Sequence, residues 1–450
     1  MQEQNLYSKA ENIRDVIRYL RRFKNASIVI YMDDRVIDSP LFTSHIRDIC
    51  MIHAAGLQVV IVPGARKRID EVLASANIPW RLENGCRITG EDAMPLIKMA
   101  AFDVSNRIMT SLAGERQTAV IGNWVRARGK GVRDGTDFAT SGEIDKVQTD
   151  AIRTVLENRF IPIFPCIGWS AAGKPYNISS VRLAAEVAER IQADKLFFLL
   201  PDAELTASRF SIPDQIGLSP EGHIPALNLE EAELFLQRNP LQSDADDKTI
   251  RNESLIRDLI ELGTQACRSG VSRVHILNSN LDGTVPCEIF SDLGSGTMIY
   301  ESDYGGIRDM SIEDIPAVLN LIRPFVEKGI LLPRTESSLA ARYADYIVYE
   351  LDGGIRACAA LHSYADGQKE IAAVAVDQTC AHLGIGPKLV EYLIARAKKQ
   401  KARSVFILTT QTADWFEALG FRPAPIETLP EKRKETWSPA RGSKLYRKSF

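Results

Sequence analysis

The stretch EIAAVAVDQTCAHLGIGPKLVEYLIARAKK, Glu370 to Lys399, decides how the C-terminal third of this 450-residue chain folds. Ile371 to Val376 reads as a strand of small and branched apolar residues. A loop containing Gly384 and Gly386 comes next, and it opens a helix from about Pro387 to Lys399. Leu389, Val390, Leu393, Ile394 and Ala397 recur at helical spacing and give that helix a buried face. A helix N-terminus carries backbone N–H groups with no partner inside the helix, and small residues before it let a phosphate come close. The same pattern also serves ordinary strand-turn-helix packing, so the loop alone fixes no function.

Working outward, Val405 to Leu408 is a strand after the helix, and Ile355 to Leu361 and Tyr346 to Leu351 are strands before it. Asp352-Gly353 is a hairpin turn signal between the last two. Ile312 to Phe325 reads as a helix. The polar, glycine-bearing ESDYGG, Glu301 to Gly306, marks a linker, with one domain over residues 1–299 and another over 307–450. In the first domain, short apolar runs alternate with helical stretches. They are Ser27 to Tyr31, Val59 to Val62, Thr118 to Ile121, Ile161 to Phe164, Lys195 to Leu200 and Arg273 to Leu277. Such alternation implies an α/β fold with a mostly parallel sheet and helices on both faces. Residues 8–23 open the chain with an amphipathic helix, Ile13, Val16, Ile17 and Leu20 falling on one face that calls for a partner surface.

Composition narrows the class. Hydrophobic residues make up 45% and charged residues 25%, with a formal net charge of -3, which excludes a dedicated, basic nucleic-acid binder. The seven cysteines form no CxxC pair and are odd in number, which favours free thiols over disulfides or a metal site. The polar start MQEQNLYSKAENIRD is no secretory signal, and no apolar run approaches the ~18 residues of a membrane span, so a cytoplasmic protein is expected.

Strand, glycine loop, helix, strand and then DWFEALGF (Asp414 to Phe421) resemble the GNAT acyltransferases. The resemblance implies a C-terminal GNAT α/β domain that holds coenzyme A pyrophosphate on the loop, through His382, Leu383, Gly384, Ile385 and Gly386, with Val374 and Val376 beside the acetyl group. That family usually has Arg or Gln three residues before the first loop glycine. Ala381 stands there, leaving backbone N–H groups as the donors.

A narrower resemblance, to bacterial N-acetylglutamate synthases of the two-domain type, covers nearly the whole chain. It rests on LIRPFVEKGILLPR (Leu321 to Arg334), ACAAL (Ala357 to Leu361), EIAAVAV (Glu370 to Val376), LTT (Leu408 to Thr410), DWFEALGF and RGSK (Arg441 to Lys444). It implies acetyl transfer from acetyl-CoA to L-glutamate. Arg334, Arg441 and Ser443 would hold the substrate, near Leu408, Thr409 and Cys358, and Glu370 would be the general base. The chemistry suits these residues, because guanidinium pairs with carboxylate through parallel hydrogen bonds and the ammonium must lose a proton before it attacks. Cys358 is expected to be a packed strand residue, and no metal is required.

The N-terminal half resembles the amino-acid-kinase fold, in IVIYMDD (Ile28 to Asp34), VIVPGAR (Val60 to Arg66), ADKLFFLL (Ala193 to Leu200), ACRSGVSRVHIL (Ala266 to Leu277) and EIFSDLGSGTMI (Glu288 to Ile299). Kinase chemistry needs a cation and glycine-rich donor loops. Tyr31, Asp33 and Asp34 stand where the first loop reads roughly KxGG, Pro63 interrupts the second, and Asn177 to Ser180 lack the kinase aspartate. The expectation is a domain without kinase activity that regulates and oligomerises, a hexamer by resemblance. Arginine would be the effector, held by Lys195, Glu288, Gly294 and Gly296. An acetyltransferase for another small amine and a catalytically silent arginine sensor are the alternatives.

Overall fold

The computed structural model describes Ile17 and residues 24–450, apart from 84–85, 220, 241–247, 291–293, 302–304, 352–353, 378–379 and 381–383. The helix expected over residues 8–23, Ile17 aside, and the Asp352-Gly353 turn lie outside the described residues. The chain divides into two compact units, Met1–Glu301 and Ser302–Phe450.

In the first unit one sheet runs in the order Ala226–Asn228, Thr297–Tyr300, Arg273–Asn278, Lys195–Leu200, Ser27–Met32, Gln58–Pro63, Ile161–Ile163, Ala119–Ile121. Neighbours are parallel except Arg273–Asn278 against Thr297–Tyr300. SIVIYM, QVVIVP and KLFFLL carry apolar side chains on both faces, so each strand must be covered twice. Val29 and Tyr31 enter one core with Val60, Val62, Phe198 and the helix Ser180–Ile191. Ile28, Ile30 and Met32 enter the other, against Ile46 and Ile49 of the helix Phe42–Ala54. A second sheet of Pro175–Asn177, Ile167–Trp169, Val125–Gly129 and Gly142–Val147 was not foreseen. Its strands, such as VRARG, are short and mixed in polarity.

The second unit holds one sheet in the order Gly305–Asp309, Tyr346–Leu351, Gly354–Ser363, Gln368–Val376, Ser404–Thr409, Lys444–Ser449, Arg422–Ala424. Gly305 and Gly306, expected in the linker, instead open a strand that pairs with Tyr346–Leu351. Their lack of side chains hid that strand from a pattern of apolar residues. The helix Ile385–Lys399 covers one face with Leu389, Val390, Leu393, Ile394 and Ala397, as expected. The helix Ile315–Glu327 packs with Val348, Cys358, Ala360 and Ala375 in a separate core cluster.

One junction in this sheet is parallel, Gln368–Val376 beside Ser404–Thr409. Its ladder runs only from Gln368↔Ser404 to Glu370↔Phe406. Ser404–Thr409 stays paired with Lys444–Ser449 as far as Thr409. Beyond Glu370 the two parallel strands therefore splay. On the other side the register with Gly354–Ser363 shifts between Cys358 and Ala360, and Ala373 sits at φ 53°. A bulge of this kind bends a strand and re-aims the residues beyond the bend. Among the described residues no helix is long and apolar enough to cross a membrane.

Candidate active site

Side chains alternate across a strand, so Ile371 packing beneath the helix Ile385–Lys399 sends Glu370 to the opposite face. The same alternation places His362 beside it, its cross-strand partner, and Phe406 on the parallel neighbour. Glu370 is only 5% exposed at the root of the splay. Its carboxylate accepts the Tyr364 hydroxyl at 2.6 Å and the Arg433 Nε–H at 3.0 and 2.9 Å. Burial, and then the Glu370 charge, pushes the Tyr364 phenol up, so this hydroxyl keeps its proton and stays a donor.

The arginines foreseen from the sequence come to the same region. Arg334 donates from Nε to the Tyr346 hydroxyl at 2.7 Å and from Nη1 to the Leu332 carbonyl at 3.0 Å. Arg441 donates from Nη2 to the Ile330 carbonyl at 2.8 Å. These two side chains thus pin the loop after the helix Ile315–Glu327. Burial, with the charges of Arg433 and Arg334 adding to it, lowers the proton affinity of Arg441. Arg441 thus feels two further guanidiniums, one of them paired with Glu370, and such a gathering of cations attracts anions. Ser443 is buried and accepts the Trp437 indole N–H at 3.1 Å, so its own hydroxyl hydrogen remains to be donated.

Leu408 packs against the Phe406, Leu429 and Leu445 cluster. Thr409 bonds the Thr412 hydroxyl at 2.8 Å and accepts the Thr412 N–H at 3.1 Å, so its side chain closes the turn into Ala413–Ala418. Cys358 is fully buried and burial pushes its thiol up to about 12, a packed residue and not a nucleophile. Tyr364, Tyr346, Trp437 and above all Arg433 were missed. Arg433 sits in Glu431–Lys434, EKRK, a run that reads as a solvated surface. Nothing short of the tertiary fold shows that its side chain turns inward.

On the other side of the sheet the helix Ile385–Lys399 begins at Gly384, whose φ of 63° suits glycine. No acidic side chain lies in its first turn to compete for an anion. Ile385 and Gly386 are buried, and a Cβ at 386 would come within 3.1 Å of the Trp415 ring. Val374 and Val376 are half-buried on the splayed strand. His382 and Leu383 lie outside the described residues, as does Ala381.

In the first unit, the ends of Ser27–Met32 and Gln58–Pro63 lie where a kinase would hold phosphate. Two backbone donors there are already used. Asp33 N–H goes to the Leu199 carbonyl at 3.0 Å, and Gly64 N–H to that of Met32 at 2.8 Å. The Tyr31 hydroxyl, bonded to Asp33 at 3.3 Å, would be 3.2 Å from a Cβ at Gly64, so the ring fills this corner. Asp34 is raised to about 6 by burial and by Asp33.

Glu288 is buried, and its carboxylate accepts His275 Nδ1 at 2.6 Å, Ser295 N–H at 2.5 Å and Gly296 N–H at 2.9 Å. Burial alone would raise this acid, but those donors hold it below the usual range. Burial lowers His275 to about 4, so a neutral imidazole donates to an ionised carboxylate. Gly294 has φ 64°, and a Cβ there would lie 2.6 Å from a Glu288 oxygen. At Gly296 a Cβ would lie 2.3 Å from the Ile276 carbonyl oxygen, so the turn closes over the carboxylate only with glycine at both places. Lys195 is buried, and its charge reaches His275.

Residues 28–202 match the amino acid kinase family, and residues 342–423 match the acetyltransferase (GNAT) domain. An amino-acid acetyltransferase of Salmonella typhimurium is 31% identical over 97% of this chain and 96% of its own. One from Pseudomonas fluorescens is 30% identical over 97% and 98%. The N-acetylglutamate synthase of Neisseria gonorrhoeae complexed with coenzyme A and L-arginine is 29% identical, with TM-score 0.78 over 98% of this chain and 99% of that one. Its complex with coenzyme A and N-acetyl-glutamate gives 31% and TM-score 0.58 over the same shares. Fold and site together define a GNAT acetyltransferase joined to an amino-acid-kinase fold. The chain belongs to the amino-acid acetyltransferase family.

Proposed function

We propose that this enzyme transfers the acetyl group of acetyl-CoA to the amine of L-glutamate, the first step of arginine biosynthesis, and that arginine inhibits it. The observation that carries this is a group of guanidiniums, Arg441 feeling the charges of Arg334 and Arg433 and Arg433 paired with the buried carboxylate of Glu370 at the root of a splayed sheet. The two arginines and Ser443 hold the carboxylates of glutamate. Glu370, directly or through a water, takes a proton from the ammonium. The free amine attacks the thioester carbonyl, whose oxygen meets backbone N–H groups of Val374 to Val376. The C–S bond breaks, and the thiolate takes up the second amine proton. Glutamate ammonium and acetyl-CoA thus give N-acetylglutamate, free thiol and one released proton. The relative solved with coenzyme A and N-acetyl-glutamate supports this reading. Thiol release with a panel of amino acids tests it. Losing one charge-assisted contact costs roughly 1.5–3 kcal/mol, so glutamate should exceed glutamine by about 10–150-fold in kcat/KM. Equal rates with the two would rule the reading out.

The kinase-like unit is silent as a kinase, supported by Tyr31, Asp33, Asp34 and Pro63 and by the spent N–H groups of Asp33 and Gly64. ATP and N-acetylglutamate should give no acetylglutamyl phosphate when trapped as the hydroxamate. Signal above a no-enzyme control would overturn this.

Arginine binds in that unit, its guanidinium toward Glu288 and the turn holding Gly294 and Gly296, its carboxylate toward Lys195. The relative solved with L-arginine supports arginine as the ligand. Coupling of ~1–3 kcal/mol is usual for such regulation, a ~5–150-fold change in apparent substrate affinity. Because Glu288 also organises its own turn, Glu288→Gln is the informative change. It keeps an acceptor and removes the charge. The arginine response should fall at least about 10-fold, within that coupling range. An unchanged inhibition curve would remove Glu288 from the site.

Assembly as a homo-oligomer, a hexamer by resemblance, is supported by an apolar surface cavity of about 400 Å³ lined by Pro95, Lys98, Met99, Phe102 and Trp169, which a second copy would cover. The seven free cysteines support a cytoplasmic setting.

A further inference from the structure

Glu370 is not free to act in the arrangement described. Its partner Arg433 is itself largely buried, the two side chains being 6% and 16% exposed. A base held by a cation is a poor place for a proton, since protonation must give up the pairing. Yet Arg433 is not spent on this contact. Its Nε holds both carboxylate oxygens and its Nη1 donates to the Thr436 hydroxyl at 2.9 Å, while Nη2 makes no hydrogen bond among the described residues. Its charge is felt at Arg441, so it faces the same anion-attracting region as the two arginines read from the sequence. It lies on the short Glu431–Lys434 turn and not on the sheet, so it can shift without unpairing a strand.

Resting on the glutamate acetylation proposed above, we infer that Arg433 is a latch on the base: a carboxylate of the arriving substrate takes over the guanidinium, and Glu370 is released to accept the amine proton. Proton acceptance is thereby tied to substrate recognition. An amine without the second carboxylate can enter but leaves the latch closed. Arg433 then governs specificity through turnover as well as through binding. The other groups around Glu370 are Tyr364 and His362, the imidazole bonded to Asp345 at 2.8 Å and near Arg342. Burial keeps that imidazole below its ordinary range, so it is neutral near pH 7 and does not replace the Arg433 charge.

The experiment compares kcat/KM for glutamate and for glutamine, with saturating acetyl-CoA, in wild type and in Arg433→Gln. The wild-type preference for glutamate should shrink by at least tenfold in the variant, with turnover of glutamine equal or higher. A purely structural role would lower both substrates together, and that result overturns the latch. Should Arg433→Gln not fold, Arg433→Lys decides the matter. It keeps the charge but not the forked donors, so an intermediate preference is expected, and a wild-type preference contradicts the latch. A wild type indifferent between glutamate and glutamine would instead sink the substrate assignment, whereas a wild-type preference retained in the variants sinks only the latch.

Discussion

Glu370→Gln should lower kcat at neutral pH by ~10²–10⁴-fold, the usual contribution of a general base, with acetyl-CoA binding nearly unchanged. The physical reason is the protonated state of the substrate amine, which attacks only after losing a proton. The deficit should shrink as pH rises, because solvent then supplies the free amine that Glu370 otherwise generates. The amide can still accept from Tyr364 and Arg433, so the site keeps its shape, although Arg433 loses its counter-charge. Breaking a buried pair from one side costs stability, so the thermal midpoint should fall and must be recorded beside the rates. Wild-type turnover in a folded Glu370→Gln enzyme would remove this residue from the mechanism.

Replacing both Arg334 and Arg441 by Gln should raise KM for glutamate most. Each charge-assisted contact is worth roughly 1.5–3 kcal/mol, so each single change should cost about 10–150-fold and the double change more. The two need not combine independently, because Arg334 and Arg441 sense each other's charge and pin one loop through Leu332 and Ile330. KM for acetyl-CoA should stay put, since the proposed coenzyme site, at the start of the helix Ile385–Lys399, is on the other face of the sheet from Glu370. A KM for glutamate within about twofold of wild type in the double variant would show that these are ordinary surface cations, contacts far below the expected value.

Much of the fold is legible because burial writes itself into composition. KLFFLL and QVVIVP are buried on both faces and read as strands without help, and the buried face of Ile385–Lys399 comes from its spacing. The edges are less legible. Gly305–Asp309 begins with two glycines and passes for linker, and VRARG in the small sheet has no apolar run to betray it. The site divides in the same way. Glu370, Arg334, Arg441 and Ser443 stand in recognisable strings, and the structure brings them to one face of one sheet. Arg433 stands in a charged run whose bland reading is a solvated turn, and only the packing of that turn against the 368–376 strand turns it inward. Glu288 is read from sequence only as a contact for the effector. Its donors come from a turn whose shape depends on Gly294 and Gly296, which no residue spacing reveals.

The central claim is that glutamate itself receives the acetyl group. Purified protein incubated with L-glutamate and acetyl-CoA, with free thiol and acetylated amino acid measured together by mass spectrometry, tests it most directly. The expected result is N-acetylglutamate in amounts equal to the thiol released. Thiol release without N-acetylglutamate, or an acetylated product from another amine in preference to it, would contradict the account.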